Sequence, residues 1–204
     1  SLVPGARPIP SAAAGLFVPA ASVAIMQLVR ARAERERERL RHSALSDPLT
    51  GIANRRSLLS RIDYEIPRHA RARHGFALVM VDLDGFKLLN DRFGHEAGDD
   101  LLRDVAAALR RTLRSQDTAA RIGGDEFCVL APETNSAGVP QLEARVLGAI
   151  ASVTAGMESV RASVGTAVFP RDGRAPQELM RAADQRLLAA KRALTPARRY
   201  RRAA

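Results

Sequence analysis

From Asp47 onward the 204-residue chain alternates between helical and extended hydrophobic patterns. From Asn54 or Arg55 to about His74, the residues Leu58, Leu59, Ile62 and Ile66 share one face of a basic helix that must accommodate Pro67. FALVMVDL (Phe76–Leu83) is a continuous apolar run of strand length, which predicts an interior strand covered on both sides. A short helix is expected at Phe86–Phe93. A long amphipathic one follows at Asp99–Leu113, where Leu102, Val105, Leu109 and Leu113 recur at helical spacing. Thr118–Ile122 and Glu126–Leu130 read as short strands around Gly123, Gly124 and Asp125, a hairpin in which both glycines are expected to take positive φ. Ser136–Ala151 is predicted to be helical, Ala162–Val168 extended, and Pro176–Ala193 helical with its proline in the first turn. After the first helix the order β-α-α-β-β-α-β-α is that of a split βαβ unit. The fold class is α/β (α+β), a mixed sheet with an internal antiparallel pair and flanking helices.

Upstream of Asp47 the pattern changes. Residues 1–11 hold Pro4, Pro8 and Pro10 and read as a loop, and Ser1 in place of a methionine reads as the start of a fragment. Ala12–Val29 is 18 residues without a charge, the lower edge for a membrane span. Arg30, Arg32, Arg35, Arg37 and Arg39 follow, as at the cytoplasmic end of a last transmembrane helix. Gly15, Pro19, Ser22 and Gln27 suit a buried or coiled helix equally well, and both readings stay open. A cleaved signal peptide fits less, because the charge lies after the apolar run. Ala31–Ala44 has strong helix formers and no breaker, so it reads as an exposed connecting helix. The expected organisation is an N-terminal segment over 1–46, a domain over 47–192 and a basic tail over 193–204.

Composition narrows the functions. A hydrophobic fraction of 46% excludes a disordered chain, and the single Cys128 excludes an internal disulfide. The net charge of +10 invites a nucleic-acid reading, but it belongs to the flanks: residues 47–191 carry 20 cations against 19 anions. With no tryptophan, two tyrosines and six phenylalanines, a base-stacking platform is disfavoured as well, so no nucleic-acid partner is expected. Of 32 cationic residues only Lys87 and Lys191 are lysine.

Chemistry concentrates in two acidic pairs. Asp82 and Asp84 end the apolar strand, two residues apart and therefore on one face. Asp125 and Glu126 follow the Gly-Gly turn directly. If the hairpin lies beside the strand, Asp82 and Asp125 meet, and two carboxylates with a main-chain carbonyl suit magnesium held with substrate phosphates. Taken singly, Asp84 reads as a helix cap and the Gly-Gly-Asp turn as a turn; together they favour a site.

Gly123-Gly124-Asp125-Glu126-Phe127 spells GGDEF. DPLTGIANRR (Asp47–Arg56), VDLDGFKLLNDRFGHEAGDDLL (Val81–Leu102), RASVGTAV (Arg161–Val168) and ADQRLLAAK (Ala183–Lys191) complete a resemblance to the GGDEF domain family of diguanylate cyclases. It spans Asp47 to about Arg192. The resemblance implies a sheet-and-helix fold like that of nucleotidyl cyclases and polymerase palms. It implies that two GTP, one per subunit of a homodimer, condense to cyclic di-GMP and two pyrophosphates. Asp82, the carbonyl of Leu83, Asp125 and Glu126 would hold two Mg²⁺ (or Mn²⁺). The catalytic set would be Glu126, as base for the ribose 3′-hydroxyl, with Asp125 and Lys191. Asn90 and Asp99 would read guanine. The turn at Gly85, Phe86 and Lys87, with Gly124 and Lys191, would meet the phosphates at a helix start. Arg114 and Asp117, an RxxD ahead of Gly123, match the family's inhibitory site for intercalated cyclic di-GMP.

The match departs from the family in the closing helix. Thr195 stands where the resemblance implies a phosphate-binding arginine, and Leu188 where it implies a tyrosine. Arg192 and Arg198 are the nearby cations. The alternative function is a non-catalytic GGDEF module that binds GTP or cyclic di-GMP as a receptor. The resemblance places the domain in the cytoplasm of a bacterium, with inner-membrane tethering through 12–29 if that run is a span.

Overall fold

The computed structural model describes residues 26–30, 32, 45–157 and 159–194. Residues 26–30 are helical. Most of the apolar run at 12–29, most of the connecting helix and nearly all of the basic tail lie outside the described residues. Among the described residues no helix is long and apolar enough to cross a membrane.

The unit from Leu45 onward contains, in chain order, β1 (Ala53–Asn54), α1 (Arg55–Ala72), β2 (Phe76–Asp84), α2 (Phe86–Phe93), α3 (His95–Thr112), β3 (Thr118–Arg121), β4 (Glu126–Pro132), α4 (Val139–Thr154), β5 (Arg161–Phe169) and α5 (Pro176–Leu194). The sheet order is β1-β3-β4-β2-β5. β2 runs antiparallel to both β4 and β5, β3 is antiparallel to β4, and β1 is parallel to β3. Without β1 this is the split βαβ order the pattern predicted. β1 itself is two residues long, too short for any hydrophobic period to announce it.

β2 is buried on both faces from Phe76 to Leu83, as its unbroken apolar run required. Alternation divides its side chains between two cores. Phe76, Leu78 and Met80 join Leu58 and Ile62 of α1 and Leu179, Ala183 and Leu187 of α5. Ala77, Val79, Val81 and Leu83 face Leu89 of α2, Leu101, Val105 and Leu109 of α3, and Leu142, Val146 and Ile150 of α4.

Two helices differ from the sequence pattern. α3 starts at His95 rather than Asp99, because α2 is broken at Gly94, which has φ 87°, while Gly98 is accommodated inside the helix. α4 runs over Val139–Thr154 rather than Ser136–Ala151, since Asn135 ties down the preceding turn through the N–H groups of Ala137 and Gly138. α1 keeps 18 helical residues despite Pro67; Asn54 caps it by accepting the N–H of Ser57, and it ends at Arg73 with φ 55°.

α5 lies directly on β5. A Cβ at Gly165 would come within 2.2 Å of the carbonyl oxygen of Ala183 and the nitrogen of Leu187, so only glycine permits this separation. Asp172, just past β5, holds the helix: its carboxylate accepts from both terminal nitrogens of Arg186 at 2.8 Å and from the N–H of Val168 at 2.7 Å. Arg186 foremost, then Arg171 and the Val168 N–H, outweigh burial and hold the Asp172 carboxyl well below the usual carboxylate range. A depressed native pKa contributes stability above the unfolded value of about 4, lost as pH falls through the native one. Asp172→Asn should cost about 1–2 kcal/mol at pH 7 by urea unfolding, and the gap from wild type should shrink steadily below about pH 4.

Candidate active site

The apolar series on the α5 face of β2 changes character at Asp82. Phe76, Leu78 and Met80 are followed by two carboxylates on the same face, at the end of the strand. Register places Asp82 opposite Glu126 on β4 and opposite Ser163 on β5, with Asp84 opposite Arg161. The β3–β4 hairpin therefore does lie beside β2, and Leu83 N–H donates to the Asp125 carbonyl at 3.3 Å. Asp84 does not cap α2, which has no side-chain cap; its carboxylate accepts the Ser163 hydroxyl.

The hairpin loop is built differently from the expected type. Neither Gly123 nor Gly124 has positive φ. Ile122 N–H donates to the Glu126 carbonyl at 3.0 Å, and Arg121 reaches back to donate to the Gly124 carbonyl at 2.8 and 3.0 Å. A Cβ at Gly123 would sit 2.4 Å from Glu126 Oε2, so the glutamate in its present position lies against the bare Gly123 backbone. A Cβ at Gly124 would meet nothing within 4 Å, so that backbone is open to an approaching molecule. Arg121 also pairs with Asp47 at 3.2 Å, and Asp47 accepts the N–H and hydroxyl of Thr50. Burial alone would raise Asp47, but Thr50 and the Arg121 guanidinium outweigh it and lower its carboxyl. The first turn of the domain is thus braced against the loop by one arginine.

Lys191 of α5 donates to Asp82 Oδ2 at 2.6 Å. Burial raises the Asp82 carboxyl above its ordinary value; Lys191 partly opposes this, while Asp125 and Asp84 add to it. Burial lowers Lys191, but the bond to Asp82 and the fields of Asp82, Asp84 and Asp125 outweigh it, and its ammonium is held above the ordinary range. The carboxylates thus gather around a cation. Among the described residues no three acidic, histidine or cysteine side chains form a ligand set of their own. Asp82 and Asp125 supply hard oxygens; further donors would be a main-chain carbonyl, water or a substrate phosphate, a set that fits a magnesium-sized ion.

Asn90 and Asp99 come from α2 and α3. A Cβ at Gly98 would sit 1.9 Å from Asn90 Oδ1, so that glycine makes room for the amide. Asn90 Oδ1 is buried without a hydrogen-bond partner, an acceptor left for an outside donor. Gly85, with φ 82°, starts α2 and leaves the N–H groups of its first turn uncapped. Phe86 is half-buried against the core beside this turn. Lys87 is exposed and makes no contact with the acidic edge.

Arg114 and Asp117 line a separate cavity of about 490 Å³ with Gly51, Arg110 and Ala119. Their side chains do not pair with each other. Asp117 Oδ2 accepts the Arg114 N–H at 3.0 Å and lies 3.7 Å from Arg145 of α4, while Asp117 Oδ1 is buried and unpartnered. Arg145, Ser163, Arg121 and Gly98 are participants that motif reading did not single out as site residues. Ser163 and Gly98 lie inside the quoted motifs, whereas Arg121, just ahead of Gly123, and Arg145 lie outside them.

Sheet order, flanking helices and acidic strand end together define a palm-like domain. The sequence profile described as "Diguanylate cyclase, GGDEF domain" matches residues 44–195, and the chain belongs to the GGDEF family. It is 41% identical over 157 residues to diguanylate cyclase DgcP of Pseudomonas aeruginosa, covering 75% of this chain and 23% of that protein. It is 38% identical to the bifunctional diguanylate cyclase/cyclic di-GMP phosphodiesterase MucR of the same organism, covering 84% of this chain and 25% of that one. The chain thus spans about a quarter of the length of these relatives. The crystal structure of the coiled coil and GGDEF domain of DgcB from Caulobacter crescentus, in complex with c-di-GMP, superposes with a TM-score of 0.76 at 26% identity, covering 85% of this chain and 94% of that one.

The Lys191–Asp82 pair makes a measurable contribution of its own. Replacing Lys191 by methionine leaves a largely buried carboxylate beside two others, and should cost about 1–3 kcal/mol in thermal unfolding performed in EDTA.

Proposed function

We propose that this domain is a diguanylate cyclase, active as a homodimer in which each subunit presents one GTP. The observation that carries the reading is the row formed by Asp82 and Glu126, paired in register across β2 and β4, with Asp125 and Lys191 beside them. The unpartnered Asn90 acceptor and the Asp99 carboxylate suit the N1–H and N2–H₂ edge of guanine, a donor pair that adenine lacks. The uncapped N–H groups at Phe86 and Lys87 and the open backbone at Gly124 suit phosphate oxygens.

In each half-reaction a ribose 3′-oxygen forms a bond to the α-phosphorus of the facing nucleotide, and the bond from that phosphorus to the bridging oxygen of pyrophosphate breaks. Glu126 takes the 3′-hydroxyl proton. Asp82, the Leu83 carbonyl, Asp125 and Glu126 would hold two Mg²⁺ or Mn²⁺. When bound, these ions supply charge neutralisation at the phosphates and acidify the hydroxyl. Lys191 carries its ammonium between Asp82 and the phosphates. The charged segment at 31–46 is the lever through which an upstream signal aligns two domains, and the Arg121 brace connects that end of the domain to the catalytic loop.

Incubation of concentrated protein with GTP and Mg²⁺ should yield cyclic di-GMP by chromatography, and Glu126→Gln should reduce turnover at least a hundredfold with an unchanged melting temperature. GTP binding without product from the wild type would favour the receptor reading instead.

The Arg114 and Asp117 cavity is the proposed inhibitory site for cyclic di-GMP, its unpaired guanidinium suiting the phosphates. Arg114→Ala should shift the product-inhibition curve at least tenfold to higher cyclic di-GMP; an unchanged curve would exclude the site.

A further inference from the structure

The acidic edge is short of positive charge. Asp82, Asp84 and Glu126 occupy one face of the sheet with Asp125 at its rim, and Lys191, the ammonium among them, is bonded to Asp82. A nucleoside triphosphate would bring several further negative charges to this edge, and like charges this close repel strongly.

Arg161 stands at the end of the same row. It opens β5 directly opposite Asp84, and it shares its face with Ser163, whose hydroxyl bonds Asp84, and with Gly165, which lies under α5. The chain just before it lies against the start of α2: a Cβ at Gly85 would fall 1.8 Å from the carbonyl oxygen of Ser159. Arg161 is therefore next to the uncapped turn at Phe86 and Lys87. Its side chain is exposed, and no carboxylate among the described residues pairs with it.

Among the described residues, the helix supplies no equivalent charge at this level. α5 runs back along β5, with Ala183 and Leu187 over Gly165 and Lys191 at the Asp82 row. The Arg161–Asp84 row lies two strand residues further, about 7 Å, which is roughly four helical residues beyond Lys191. Beyond Arg192 the described residues of α5, Ala193 and Leu194, carry no charge. Arg192 is about 100° around the helix from Lys191 and points to a different side.

We infer that Arg161 is a triphosphate-binding residue, whose guanidinium forks onto the terminal phosphates of a nucleotide seated at the Gly85–Phe86–Lys87 turn. It supplies from the strand a second cation beside Lys191. A planar fork on an exposed strand end reaches two phosphate oxygens at once and needs no desolvated setting. The inference rests on the nucleotide reading above.

The test is calorimetric titration of the full chain with guanosine α,β-methylene triphosphate, whose P–C–P bridge cannot release pyrophosphate, and in parallel with GMP. Arg161→Ala should weaken the triphosphate about tenfold while leaving GMP unchanged, and Arg161→Lys should restore part of the loss. Equal binding of the triphosphate by wild type and Arg161→Ala would overturn the inference and leave the nucleotide reading standing. So would a loss that falls equally on GMP, which marks a structural effect, or a triphosphate-specific loss found in Arg192→Ala and not at Arg161. A wild type that binds neither ligand would overturn both. Should Arg161→Ala unfold, Arg161→Gln, which keeps the aliphatic stem, carries the same comparison.

Discussion

α5 can lie on the sheet only because β5 has no side chain at Gly165. With a Cβ there, the carbonyl of Ala183 and the nitrogen of Leu187 would have to move by about an ångström, and the helix would be pushed off the strand. One turn beyond Leu187 the same helix delivers Lys191 to Asp82 at 2.6 Å, so the packing distance in the core sets the reach of the ammonium at the edge. Within that same contact Arg186 donates to Asp172 past the end of β5, a second tie between helix and strand. Site geometry here is a consequence of packing that lies about 6–7 Å away from the acidic edge.

β2 explains why such support is required. A strand buried on both faces that ends in Asp82 and Asp84 puts carboxylates where the solvent is already thinning, and the raised Asp82 carboxyl reports the cost. Each acid is met locally: Asp82 by Lys191, Asp84 by the Ser163 hydroxyl, and Glu126 by the space above Gly123. The loop carrying Asp125 is held from the opposite side by Arg121, whose other partner is Asp47 in the first turn of the domain. Asp47 and the backbone at Gly124 thereby share a single guanidinium, whose planar fork can grip both partners at once.

What was legible in the sequence follows from physics that acts locally. The long elements were readable because Leu102, Val105 and Leu109, or the unbroken run at Phe76–Leu83, declare their period. The acidic edge was readable because two residues on a strand share a face whatever surrounds them. β1 was not readable, because Ala53 and Asn54 become a strand only by pairing with Ala120 and Arg121 from far along the chain. The glycines misled for a related reason. Gly123 and Gly124 suggested positive φ, yet Gly123 serves the Glu126 side chain and Gly98, which resembles a helix breaker, serves Asn90. A glycine required for close approach is indistinguishable in sequence from one required for its dihedral angles. Arg145 lay beyond reach altogether, since it gains meaning only from Asp117 near it in the fold. Arg161, though inside a quoted motif, stands out only once Asp84 is seen opposite it.

The rarity of lysine divides along the same line. In a chain of 30 arginines and two lysines, both lysines fall in family motifs, yet only one is at the acidic edge. Lys87 is exposed on α2 without contact to that edge, so its identity is not explained by the arrangement described here. Lys191 is different. A compact ammonium on a flexible stem fits against a single oxygen of a largely buried carboxylate. A guanidinium at the same position would demand two acceptors in one plane and, once paired with Asp82, would be harder to release. Arg161, standing in solvent at the end of the row, is under no such restriction. The two cations therefore differ as their surroundings do, one in a crowded contact with a buried carboxylate and one exposed at the open end of the row.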